Sequence, residues 1–401
     1  MVVAARSVGT RRRILVVSKS RELTVIAEQL LAPIPGGTAR YTAELLRALA
    51  ATAPDGWEVT SVVAWRRDVS AAVINGVRGP RRLPLSRRGL VAAWQAGVPL
   101  WPGGDGVHAP TPLAPPRVPR RSTLSVTAHD TVPWTHPETL TRRGSRWHRS
   151  MIGRAARVAD TLVVPTGSVA CELADWVPAA ARAEAIGHGV TSWPATVGGT
   201  GSAAPPCRLP RPFVLAVGTI EPRKGIDVLI AAVSRLPGVN LVLVGSYGWG
   251  DCDPVALARE YGLAPDRLTV LPGLPDSQLA ATLRCASALA VPSRAEGFGL
   301  PVLEAMAAGL PVVHSDVAAL VEVAGGAGRT VPTGDARALA TELGRVLGSP
   351  QLAAAMVTAG RARAAEFSWH RAARRIWSAH TQPDSRRFHG SGTPRHGEGI
   401  Q

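Results

Sequence analysis

The sequence predicts an α/β chain built as two doubly wound domains, each a parallel sheet covered by helices, with a ligand cleft between them. Three observations predict it. Short runs rich in Val, Ile and Leu alternate with helical patterns through both halves, as strands feeding crossover helices do. The chain has 401 residues, more than the roughly 250–300 that a single core accommodates. A stretch rich in Gly, Ser, Ala and Pro, 197–212, separates the halves as a linker would.

The elements follow in order. Residues 1–10 carry no periodicity and are expected to be disordered. In the first domain, 11–196, strands are expected at 14–18, 59–64, 123–128 and 161–165, with helices at 39–50, 142–159 and 168–176. In the second, 213–367, strands are expected at 213–217, 241–244, 268–271, 288–291 and 311–314, with helices at 227–234, 254–261, 277–286 and 301–308. A helix at 351–366 and a final one at 369–380, within a closing segment 368–381, precede a tail, 382–401, expected to be disordered.

Composition narrows the function. Lys plus Arg number 45 against 29 Asp plus Glu, a net charge of +16, and Lys19 and Lys224 are the only lysines. Such a field favours anionic partners, but aromatic residues make up only 4%, too few for the Arg and aromatic platforms that stack bases. Nucleic acid is therefore not the expected partner. Cys171, Cys207, Cys252 and Cys285 form no C-x-x-C pair, which argues against a zinc site and fits a reducing compartment. The apolar run behind Arg11, Arg12 and Arg13 is too short for a signal peptide, and no uncharged apolar run reaches the roughly 18 residues of a membrane span. The chain reads as cytoplasmic.

Four segments carry chemistry. In 291–311 a strand runs into the loop Glu296-Gly297-Phe298-Gly299-Leu300, and Pro301 opens a helix. Unpaired N–H groups there make an anion site, flanked by Glu296 in the loop and Glu304, expected in the first turn, which suit the hydroxyls on either side of a phosphate. In 217–230 a strand leads to Arg223 and Lys224, adjacent cations placed to neutralise a diphosphate. Gly36 and Gly37 open a helix in the first domain, where a backbone without side chains approaches a ligand closely. His129 and Asp130 end a strand at the edge where ligands sit.

Together these segments resemble the retaining glycosyltransferases of the two-domain GT-B fold, family four, and their bacterial mannosyltransferase-like members. Glu296 to Glu304 fits that family's E-x7-E pattern, residues 218–230 resemble its donor-phosphate loop, and residues 35–46 its N-terminal glycine loop. The resemblance implies a hexosyltransferase using a nucleotide-sugar donor, with GDP-mannose favoured, no cofactor and no required metal. It implies that Arg223 and Lys224 grip the diphosphate, Glu296 binds the transferred sugar and His129 lines the sugar end. Glu304 would bind the ribose, and Gly36 and Gly37 would lie against the diphosphate from the first domain. The backbone of Gly297, Phe298, Gly299 and Leu300 would approach sugar and phosphate, and Gly245 and Leu274 would wall the base. A glycan or lipid-linked acceptor follows, in glycolipid or cell-envelope polysaccharide synthesis.

Two departures stand out. Residues 19–34 make the segment before Gly36 longer than the family pattern, and Asp251-Cys252-Asp253 mimics a D-x-D metal motif, although Asp253-Pro254 reads better as a helix start. Two other readings stay open: a non-catalytic nucleotide-sugar-binding subunit and a basic nucleic-acid-binding protein. Finally, the helix expected at 142–159 mixes arginines with Trp147, Met151 and Ile152, the pattern of a helix lying on an anionic membrane.

Overall fold

The computed structural model describes residues 20–33, 36–190, 205–206, 208–248, 250 and 252–382. The expectations for residues 1–10, the strand at 14–18, most of the linker, Asp251 and the tail lie outside them.

Among the described residues, seven parallel strands form the first sheet: β1 (Arg21–Ile26), β2 (Trp57–Val63), β3 (Arg78–Arg82), β4 (Gly106–Ala109), β5 (Thr123–Thr127), β6 (Thr161–Val164) and β7 (Glu184–Ala185), in the order β3-β2-β1-β4-β5-β6-β7. Six form the second: β8 (Phe213–Val217), β9 (Asn240–Val244), β10 (Leu268–Leu271), β11 (Ala288–Val291), β12 (Val312–Ser315) and β13 (Arg329–Val331), in the order β10-β9-β8-β11-β12-β13. Strand order reverses beside β1 in one sheet and beside β8 in the other, and doubly wound sheets bind ligands at such points.

Burial explains the strands. Leu23, Val25, Val62, Val107, Leu215, Val242 and Leu289 are all buried, as parallel strands covered on both faces require. The segment before Gly36 holds an element the sequence reading did not assign: Arg21–Ile26 is the first strand among the described residues, exposed at its charged start and buried from Leu23 onward. A turn of 3-10 helix, Glu28–Leu31, lies between it and Gly36.

The helix Arg142–Val158 also differs from expectation. Met151, Ile152 and Ala155 are buried, and Trp147 packs on the core beneath them. Its apolar side is thus committed to the first domain, and only the arginine face meets solvent. Among the described residues no helix is long and apolar enough to cross a membrane.

The last helix, Trp369–Thr381, packs on the first domain rather than the second. Trp369, Ile376 and Trp377 join the core beneath the helix Gly37–Ala51, and the indole N–H of Trp377 donates to the Leu49 carbonyl at 3.1 Å. At its end His380 bonds Thr123 Oγ1 through Nδ1 at 2.6 Å and Ser125 Oγ through Nε2 at 2.8 Å. A Cβ on Gly106 would meet that ring at 2.7 Å, so β4 carries glycine where the imidazole seats.

Burial pushes the His380 imidazole down to about 3. The folded state thus binds its proton less readily than the unfolded chain, whose histidines titrate near 6.5. Stability contributed by this neutral ring is complete above about pH 6.5 and is lost as pH falls toward 3. Between pH 7 and 5 the loss from His380 is expected at about 2 kcal/mol, read from urea midpoints, and His380→Leu should flatten the slope. Equal slopes in the two proteins would refute this.

Candidate functional site

The site lies between the C-terminal edges of the two sheets, in a cleft of about 610 Å³. It is lined by every site residue anticipated from the sequence: Gly36, Gly37, His129, Arg223, Lys224, Gly245, Leu274, Glu296, Gly297, Phe298, Gly299, Leu300 and Glu304. They arrive on loops that leave β1, β5, β8, β9, β10 and β11.

β8 and β11 are neighbours, which brings their two loops together. After β8 a turn of 3-10 helix, Pro222–Lys224, ends at Gly225 with φ 66°. A Cβ there would strike the Pro292 carbonyl at 2.2 Å, so glycine lets the cationic loop pack against the end of β11. Lys224 Nζ then donates to Glu296 Oε1 at 2.5 Å. Ser293 Oγ donates to the same oxygen at 2.8 Å, and Arg223 Nη1 lies 3.6 Å from Glu296 Oε2. Burial pushes the Glu296 carboxyl up, but the charges of Lys224 and Arg223 and the two hydrogen bonds outweigh it and hold it below the usual carboxylate range.

Arg223 is oriented by Glu221 and by the Ala295 carbonyl, at 2.5 and 2.8 Å. Its neighbour Arg294 fastens the turn from outside. The Arg294 N–H donates to the Arg223 carbonyl at 2.8 Å and Nη1 to Pro222 O at 2.6 Å, while a two-pronged pair with Asp227 at 2.9 and 2.6 Å fixes the guanidinium.

The loop after β11 shows why it holds glycines. A Cβ on Gly297 would lie 1.7 Å from the His129 carbonyl oxygen, and one on Gly299, at φ 88°, would lie 2.5 Å from Leu320 Cδ2. Gly297 O also accepts from Thr166 Oγ1 at 3.1 Å, so this loop is where the two domains meet. The helix begins at Leu300, with Pro301 second. Glu304 is therefore past the first turn, not in it, and is buried.

Glu304 is met from the first domain by a residue the sequence reading left unassigned. Arg40 Nη1 donates to Glu304 Oε1 at 2.5 Å and Nη2 to Asp276 Oδ1 at 2.6 Å. Its position one turn into the helix opened by Gly36 and Gly37 was visible; its partners, more than two hundred residues away in sequence, were not. A second strap joins the domains where the Glu322 carboxylate accepts from the N–H groups of Gly167 and Ser168, both at 2.8 Å. The N-terminus of the helix Gly167–Trp176 is a natural seat for an anion.

His129 Nε2 bonds the Pro110 carbonyl at 2.7 Å. A carbonyl only accepts, so Nε2 carries the proton and Nδ1 is left as a lone pair. Burial keeps the ring neutral by pulling its pKa below the ordinary histidine value. His188, also absent from the sequence expectations, lines the same cleft. Gly245 and Gly273 line the same cleft with Ser246 and Leu274, and a Cβ on Gly245 would sit 1.8 Å from Gly218 O. Asp253 caps the helix Pro254–Glu260 through the Val255 N–H at 2.9 Å, the structural role its sequence context suggested.

Two family profiles divide the chain between them. The one described as glycosyl transferases group 1 matches residues 204–363, and the one described as glycosyltransferase family 4 matches residues 35–192. The D-inositol 3-phosphate glycosyltransferase of Segniliparus rotundus is 39% identical over 165 residues, which are 39% of this chain and 36% of that protein. The O-antigen chain mannosyltransferase B of Escherichia coli is 36% identical over 162 residues, 39% of this chain and 42% of that protein. The aligned segments thus span well under half the length of these curated relatives. Sucrose-phosphate synthase (tll1590) from Thermosynechococcus elongatus superposes with a TM-score of 0.67 at 23% identity, over 89% of this chain and 98% of that one, a likeness of fold.

Gly297→Ala tests the domain contact. The added methyl cannot share space with the His129 carbonyl, so the domains are expected to part. Small-angle scattering should give a larger radius of gyration with unchanged far-ultraviolet circular dichroism. An unchanged radius would refute the contact.

Proposed function

We propose that this chain, which belongs to the group 1 glycosyl transferases of the GT-B fold, transfers a hexosyl residue from a nucleoside-diphosphate sugar to an acceptor hydroxyl with retention of configuration. One observation carries the reading: a buried carboxylate, Glu296, held between Lys224 and Arg223 at the point where both sheets present their C-terminal edges.

In this reading the diphosphate lies against Arg223 and Lys224 and faces the amino end of the helix Gly37–Ala51. The bond from sugar C1 to the β-phosphate oxygen breaks, its electron pair stays on that oxygen, and the two cations stabilise the charge in a site of low dielectric. The acceptor oxygen bonds to C1 on the face the phosphate vacates, and its proton passes to the departing phosphate oxygen. Among the described residues lining the cleft, the carboxylates Glu296, Glu304 and Asp130 already accept hydrogen bonds from Lys224, Arg40 and the Val132 N–H, which favours this internal return over attack by a carboxylate. Glu296 and the His129 Nδ1 lone pair accept hydrogen bonds from sugar hydroxyls, and Glu304 exchanges Arg40 for the ribose hydroxyls. Arg223 and Lys224 supply the neutralisation that a divalent ion gives in other transferases, so the reaction is proposed to need no metal.

Mannose from GDP-mannose is the favoured donor, supported by the name of the Escherichia coli relative. A glycan or lipid-linked acceptor of the cell envelope fits the exposed Arg142, Arg143 and Arg146. These support salt-sensitive contact with an anionic leaflet, which vesicle flotation at low and high salt tests, absence at both being the refuting result.

A panel of GDP-mannose, UDP-glucose and ADP-glucose in excess chelator, followed by released nucleoside diphosphate, is expected to show highest turnover with GDP-mannose. Glu296→Ala should lower kcat/KM about ten- to a hundredfold, the loss of roughly 1.5–3 kcal/mol of charge-assisted binding. Full turnover by that variant, or a strict metal requirement, would contradict the mechanism.

A further inference from the structure

His188 is buried, at 4% exposure, and four aromatic neighbours set its ring. The imidazole stacks on Trp369 at 12° with centroids 5.7 Å apart, and leans on Phe298 at 4.3 Å and on Tyr41 at 4.6 Å. His129 stands 5.9 Å away, edge-on. Behind the ring, a Cβ on Gly189 would fall 2.2 Å from the Trp369 backbone nitrogen, so the chain passes too close to the last helix for any other residue there.

A side chain wanted only for packing gains nothing from nitrogen in this place. Nδ1 is fully buried and has no hydrogen-bond partner among the described residues, a cost that a phenyl ring of the same shape would avoid. The tautomer follows from that cost. A buried N–H without an acceptor is worse placed than a bare lone pair, so the proton sits on Nε2, the nitrogen not buried without a partner. The residue lines the cleft, and Nε2–H is its polar group on that side. Burial, with His129 close by, keeps the ring neutral by pulling its pKa well below the ordinary value.

His129 and His188 therefore offer opposite halves of a hydrogen-bond pair. His129 has spent its N–H on Pro110 and presents a lone pair; His188 presents an N–H. A hydroxyl both donates and accepts, and two neutral, rigid rings of complementary polarity at this spacing suit one. Phosphate suits neither lone pair nor neutral ring as well as it suits Arg223 and Lys224. Resting on the glycosyl-transfer reading, we infer that His188 is a sugar-specificity residue, donating from Nε2 to a hydroxyl of the transferred hexose while His129 accepts from the same hydroxyl or its neighbour.

The test compares affinity for a sugar nucleotide with affinity for the bare nucleotide, using GDP-mannose against GDP and UDP-glucose against UDP, by calorimetry and by steady-state turnover. His188→Phe keeps the packing and removes the donor. The expected result is about a tenfold loss of affinity for the sugar nucleotide with affinity for the nucleoside diphosphate unchanged, and partial recovery in His188→Gln, which restores an N–H. Should His188→Phe not fold, His188→Gln against wild type carries the comparison, with a smaller loss in the same direction. Equal losses for nucleotide and sugar nucleotide would mark His188 as packing alone and overturn the inference, as would an effect confined to the acceptor KM. Wild-type protein that turns over neither donor would overturn the functional reading itself, and the inference with it.

Discussion

Glu296 stands at the end of one strand and Lys224 at the end of its neighbour, and the 2.5 Å bond between them ties together the two loops that make the second domain's half of the cleft. Removing Glu296 would leave the mostly buried Lys224 ammonium without that carboxylate, which is far more costly than the pair itself is favourable. Here Ser293 and Arg223 add hydrogen bond and charge to the carboxylate, so the group remains ionised at 10% side-chain exposure. Charges already desolvated in this way would act strongly on the diphosphate proposed for this site, because little water remains to be rearranged.

Several contacts that cross the cleft place first-domain groups relative to that pair. Gly297, next to Glu296, packs against the His129 carbonyl, so the positions of His129 and of the Glu296 loop are coupled at one glycine. Arg40 reaches Glu304 and Asp276, and Glu322 reaches the helix at Gly167. The final helix returns to the first domain and buries Trp369 against His188. Gly297, Arg40 and Glu304 thus both join the domains and line the cleft.

The sequence made the second domain legible because its chemistry is local: a strand, a loop punctuated by glycine, then proline and a helix, with Arg223, Lys224 and Glu296 inside the loops. Edge strands were hidden. β3, Arg-Gly-Pro-Arg-Arg, is mostly exposed and carries no apolar pattern, since an edge needs none. β1 was masked by its charged start. Arg40 and His188 escaped for another reason. Neither forms part of a spacing motif, and their significance comes from partners that only the folded chain supplies. The apolar side of the helix Arg142–Val158 looked free for the same reason: amphipathicity says that a face is buried, not against what.

The central claim is that Lys224 and Arg223, organised by Glu296, form a diphosphate site. Calorimetric titration with GDP against GMP, and with UDP against UMP, measures it directly. The account predicts that one of these diphosphates binds at least tenfold more tightly than its monophosphate, about 1.4 kcal/mol, and that Lys224→Met abolishes the difference. Equal affinities in the wild-type protein, or a difference that survives in Lys224→Met, would contradict it.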